Sequence, residues 1–141
     1  KSLFLRMGSE SIYENELETS SDILIVRSLG ILPLLYANAQ LAFVGGSLVK
    51  RGGHNVIEPA IAQCPFVLGE NYFNFKSIVD SFIEAKATHI VKTPSDIFGF
   101  FCKTYKDQNN LRKNMIHNAN IVVEKNIGAT SRQLSLIIAS L

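Results

Sequence analysis

Leu41-Ala42-Phe43-Val44-Gly45-Gly46 is a short apolar run stopped by two glycines, and Pro65-Phe66-Val67-Leu68-Gly69 ends the same way. Unbroken apolar residues without polar alternation mark a strand covered on both faces. Between the two runs lie a glycine-rich loop over 45–54 and a helix expected over 56–63. Strand, loop, helix and strand in that order form a βαβ unit with parallel strands.

The same rhythm extends outward. Upstream, Leu3-Phe4-Leu5 and Ile23-Leu24-Ile25-Val26 read as strands on either side of an acidic loop. A buried helix is expected over 32–39, with Pro33 in its first turn and Leu34, Leu35, Ala37 and Ala39 continuing it. Downstream, a helix over 75–87 leads to the strand Thr88-His89-Ile90-Val91, and Pro94 opens a further helix with Ser95 and Asp96 in its first turn. Leu111, Met115, Ala119 and Val122 recur at helical spacing, as do Thr130, Leu134, Ile137 and Leu141, with Gly128 between the two helices. The expected fold is α/β: a Rossmann-like parallel sheet with helices on both faces.

Composition agrees with a single domain over 1–141. The 141 residues are 47% hydrophobic and 18% charged, which excludes a disordered chain, and a net charge of +2 offers no basic stripe for nucleic acid. Cys64 and Cys102 fit no metal-ligand spacing, and free thiols point to a reducing, cytoplasmic setting. No charge falls between Ser28 and Val49, about the span of a bilayer. Gly30, Pro33, Asn38, Gln40, Gly45 and Gly46 interrupt that stretch, however, and its period changes halfway. A helix followed by a strand is therefore expected there, not a membrane span.

Ligands of such sheets bind beyond the carboxyl ends of the strands. Two connections stand out there: Arg27-Ser28-Leu29-Gly30-Ile31, and the loop from Gly45 to Asn55. Together they hold Gly30, Gly45, Gly46, Gly52 and Gly53, five of the nine glycines. Glycine lets backbone N–H groups approach a ligand, and helix starts favour anions. Between Ile23 and Ile57 the cations Arg27, Lys50 and Arg51 face no acid, so Gly52, Gly53 and His54 are expected to support an anion-binding loop. The spacing matches neither the dinucleotide fingerprint nor the P-loop.

Two side chains have two readings each. Asn55 and Glu58 have capping-box spacing, so Glu58 either caps a helix or accepts hydrogen bonds from a ribose diol. His54 either donates to an anion or seals the turn. His89 and His117 read as structural, and Tyr72, Phe73, Phe75, Phe100 and Phe101 as packing residues. No nucleophilic triad and no metal motif is present, and no cofactor is expected.

The run from Phe43 to Ala60, Phe43-Val44-Gly45-Gly46-Ser47-Leu48-Val49-Lys50-Arg51-Gly52-Gly53-His54-Asn55-Val56-Ile57-Glu58-Pro59-Ala60, closely resembles a signature of the 3-deoxy-D-manno-octulosonic acid (Kdo) transferases of lipopolysaccharide synthesis. Leu34-Leu35-Tyr36-Ala37, Phe73-Asn74-Phe75 and Gly128-Ala129-Thr130 extend the resemblance. It implies the C-terminal, donor-binding half of a two-domain GT-B glycosyltransferase that moves Kdo from CMP-Kdo to a lipid A precursor without a metal ion. It further implies CMP contacts at Leu29, Gly30 and Ile31 and at Asn55, Val56, Ile57 and Glu58, with the glutamate towards the ribose.

Arg27 stands where the family commonly has an acid, and Ile31 where it has a glutamate, departures that bear on donor affinity. The acceptor domain is expected to lie outside this chain, together with its membrane anchor, its catalytic acid and the first strand of the donor domain. This chain is therefore expected to be soluble and inactive by itself, with an unpaired strand edge that favours self-association. The whole enzyme is expected at the cytoplasmic face of the inner membrane.

Overall fold

The computed structural model describes residues 26, 29–106 and 110–127. The strands expected over 3–5 and 23–26 (Val26 itself apart), the last helix over 130–141, Gly128, Arg27 and Ser28 lie outside these residues. The chain divides into two units at the Leu32–Pro33 junction, and every described strand belongs to the second.

Strands β1 (Ala42–Val44), β2 (Phe66–Gly69) and β3 (Thr88–Val91) form a parallel sheet in that order. Val44 pairs with Leu68, and Leu68 with Ile90. All four residues of β2 are buried, as expected of a central strand covered on both faces. Helix α1 (Leu32–Asn38) precedes β1, and α2 (Ile57–Ile61) joins β1 to β2. A single 3₁₀ turn over Phe73–Phe75 and α3 (Lys76–Glu84) join β2 to β3. Helices α4 (Pro94–Lys106) and α5 (Asn110–Asn126) follow.

The core lies on the face of the sheet that carries Val44, Phe66 and Leu68. Val56 and Ala60 meet them from the α2 segment, Val79 and Phe82 from α3, and Ala119 and Val122 from α5. The rings of Phe66 and Phe82 meet edge to face, 5.3 Å apart at 87°. On the opposite face Phe43, Val67 and His89 lie side by side across the strands. There the His89 ring stacks on Phe100 of α4, 4.9 Å away and 13° from parallel. Helix α4 thus packs on this face at His89, which stays exposed and makes this ring contact.

Local chemistry explains where the helices stop and start. Helices α2 and α3 end alike: the N–H of Cys64 bonds Pro59 O and that of Gln63 bonds Ala60 O, while Ala87 bonds Phe82 O and Lys86 bonds Ile83 O. These are Schellman closures, with Gln63 (φ 55°) and Lys86 (φ 57°) where glycine is usual. Helix α4 starts with a reciprocal capping box: Thr93 Oγ1 accepts from Asp96 N–H, and Asp96 Oδ2 accepts from the N–H groups of Thr93 and Lys92.

Two expectations need correction. Helix α1 forms where expected but contains no buried residue. Leu32, Pro33 and Leu34 are exposed, and Leu35 and Tyr36 are only half-buried, because a helix this short presents one narrow stripe inward. Phe73 is exposed and does not join the packing of Tyr72 and Phe75, since the 3₁₀ turn directs it outward. The uncharged stretch between Ser28 and Val49 contains α1 and β1, and no described helix is long and apolar enough to cross a membrane.

Candidate functional site

The loop after β1 is tied to the carboxyl end of β2 through one fully buried hydroxyl. Ser47 Oγ donates to Val44 O at 2.6 Å and accepts from Gly69 N–H at 2.8 Å. Ser47 O accepts from both the backbone and the side-chain amide of Asn71, at 2.9 and 3.2 Å. Gly69 must be glycine, because a Cβ there would overlap the Ser47 carbonyl. Further along, Asn74 N–H donates to Gly52 O at 3.1 Å and its side-chain amide to Arg51 O at 3.2 Å. Gly46, Gly52 and Gly53 have φ of 69°, 87° and 76°, a region that costs an L side chain about 1–2 kcal/mol.

These bonds also use groups that the sequence left open for an anion. Gly53 N–H is committed to Gly46 O at 3.1 Å. The His54 ring lies against the Gly45–Gly46 backbone, where a Cβ on Gly46 would come within 3.1 Å of the imidazole. His54 is nevertheless exposed, so it covers the turn while keeping an edge towards solvent. Lys50 and Arg51 are exposed on the same loop.

The start of α2 is built by Asn55. Its Oδ1 accepts from Ile57 N–H at 3.0 Å, and its Nδ2 donates to Glu58 Oε1 at 3.0 Å. This differs from a capping box, in which the asparagine would accept from the N–H of Glu58. Pro59 in the first turn has no N–H, so with Ile57 engaged little remains here to bind an anion. The exposed carboxylate of Glu58 dominates this helix start. Tyr36 lies close by: burial first, then the Glu58 carboxylate and the Cys64 thiol, pushes its phenol above the ordinary value. Burial likewise raises the Cys64 thiol, against the opposing charge of Arg112.

Val56 is fully buried in the core and anchors the segment, whereas Ile57 and Glu58 face solvent. Gly52 and Gly53 are buried and shape the turn. Leu29, Gly30 and Ile31 belong to the first unit, where Gly30 takes φ 83° and Leu29 is fully exposed. Sequence alone does not mark Ser47, Asn71 and Asn74 as positioning groups. A serine inside an apolar stretch and two asparagines just after a strand were the available signal. No group of three His, Cys, Asp or Glu able to hold a metal lies among the described residues.

No family model matches the chain. It is 32% identical over 124 residues to a 3-deoxy-D-manno-octulosonic acid transferase of Haemophilus influenzae, covering 87% of this chain and 29% of that protein. It is 42% identical over 66 residues to the transferase of the same name in Bordetella pertussis, covering 47% of this chain and 15% of the relative. The chain thus spans less than a third of the length of these curated relatives. Among solved structures, the C-terminal CMP-Kdo binding domain of WaaA from Acinetobacter baumannii superposes with a TM-score of 0.70 at 34% identity. That match covers 74% of this chain and 54% of the solved one. Sequence and fold together place the chain with the 3-deoxy-D-manno-octulosonic acid transferases, as part of a domain of their C-terminal kind.

Proposed function

We propose that the chain is the donor-binding part of a glycosyltransferase that takes Kdo from CMP-Kdo and delivers it to a lipid A precursor. The observation that carries this reading is the exposed Glu58 carboxylate, fixed by Asn55 at the carboxyl edge of the parallel sheet. A fixed carboxylate accepts two hydrogen bonds, which suits the vicinal hydroxyls of a ribose. The rigid loop behind it, bound at Ser47 and Asn74, holds that acceptor still before the ligand arrives, which lowers the ordering cost of binding.

In this reading Leu29, Gly30 and Ile31 make the second set of CMP contacts, and Gly52, Gly53 and His54 support the loop. The acceptor, the catalytic base and attachment to the inner membrane belong to the N-terminal part of the enzyme, and the chain alone is inactive. Transfer requires the acceptor hydroxyl to be held and deprotonated beside the anomeric carbon.

Calorimetric titration of the chain with CMP, with UMP as control and Glu58→Ala as second protein, tests the reading. The expected result is CMP-selective binding that weakens about 10- to 100-fold in the variant, the loss of hydrogen bonds to a charged acceptor. Equal binding of UMP, or CMP binding unaffected by Glu58→Ala, would overturn it.

A further inference from the structure

We infer that Asn55 serves the site as a positioning residue, which acts on the ribose through Glu58. The inference rests on the donor-binding reading above and assigns the division of labour within its central pair. Both ends of the Asn55 amide are engaged inside the protein: Oδ1 takes Ile57 N–H and Nδ2 holds Glu58 Oε1, each at 3.0 Å. The first bond sets the start of α2, and the second fixes the rotamer of the carboxylate. An exposed glutamate otherwise samples many rotamers, so freezing it in advance removes an ordering cost from ligand binding.

The two bonds can be separated by chemistry. Aspartate at position 55 keeps an acceptor for Ile57 N–H and is as good at a helix start as asparagine. It has no donor for Glu58, however, and sets a second carboxylate against the first. A residue needed only for the helix start would tolerate Asn55→Asp; a residue that positions Glu58 would not.

The test is a double-mutant cycle on CMP affinity with the wild-type chain, Asn55→Asp, Glu58→Ala and the double variant, with urea midpoints recorded for each. We expect Asn55→Asp to weaken CMP at least 10-fold with its urea midpoint only slightly lowered, and the double variant to bind no more weakly than Glu58→Ala. Wild-type affinity in Asn55→Asp, or a double variant as weak as the product of the two single losses, would overturn the inference. A wild-type chain that fails to bind CMP would instead remove the donor-binding reading. In that case the side-chain amide protons of Asn55 decide by NMR. A shift of these resonances on Glu58→Ala would sustain the hold of Asn55 on the Glu58 carboxylate, and unmoved resonances would end it.

Discussion

Ser47→Ala is the substitution expected to do most damage for the fewest atoms removed. The hydroxyl is fully buried and bridges the carboxyl ends of two strands, accepting from Gly69 N–H at 2.8 Å and donating to Val44 O at 2.6 Å. Gly69 N–H has a single hydrogen, and without Oγ it is left unpaired in the interior, at a cost of about 1–3 kcal/mol. The lost bond to Val44 O adds about 0.5–1.5 kcal/mol, less than the first because a carbonyl keeps a second lone pair for other donors. The sum is about 1.5–4.5 kcal/mol, a large fraction of the 5–15 kcal/mol typical of a domain. Urea unfolding followed by circular dichroism should show an earlier midpoint with an unchanged slope. Because the loop that starts at Ser47 leads to Asn55 and Glu58, CMP affinity should fall as well, under conditions where the variant is still folded. A stability loss below about 0.5 kcal/mol would refute the reasoning, since it would mean that the hydroxyl does not hold the loop to the strand.

Gly99 lies inside α4, and a Cβ there would meet nothing within 4 Å. Gly99→Ala should therefore stabilise the chain by about 0.5–1 kcal/mol in the same urea experiment, and a destabilised variant would contradict that open surface. Asp96 has its carboxyl lowered from the ordinary 3.8 by hydrogen bonds from Lys92 N–H first, then from Thr93. A carboxylate lowered on folding stabilises the fold above its unfolded pKa and loses that contribution as pH falls through the folded one. The amide resonances of Lys92 and Thr93 should accordingly shift with a midpoint below pH 3.8. A midpoint at or above 3.8 would show that the capping box does not form.

The three described strands and the order of the described helices were legible because each rests on signals carried by a few neighbouring residues. The apolar blocks at 42–44, 66–69 and 88–91 each become a strand, and Pro94 with Asp96 does open a helix. Burial of α1 was not legible, since Leu34, Leu35 and Ala37 state only that a surface is apolar and not whether anything covers it. The glycine-rich loop was placed correctly, but its hydrogen bonds were not. Ser47 reaches Gly69, and Asn74 reaches Arg51 and Gly52, across more than twenty residues of chain, and no local pattern encodes such pairs.

That long-range wiring changes how the site itself reads. Local chemistry, with five glycines, three cations and a helix start, argues for backbone N–H groups open to an anion. The structure assigns two of those donors elsewhere, Gly53 N–H to Gly46 and Ile57 N–H to Asn55, while Pro59 has none to give. What remains exposed at the head of α2 is a carboxylate, an acceptor suited to hydroxyl donors rather than to phosphate. Lys50 and Arg51, exposed on the same loop, are left as the positive groups for any anionic part of a ligand. A ligand matched to this loop therefore carries vicinal hydroxyls and a negative charge as separate features, as a nucleotide does and a free phosphate does not. Inorganic phosphate should compete poorly with CMP in the calorimetric titration, and cytidine should keep a measurable part of the affinity. Phosphate binding as tight as that of CMP would show that the glycine loop, not Glu58, recognises the ligand.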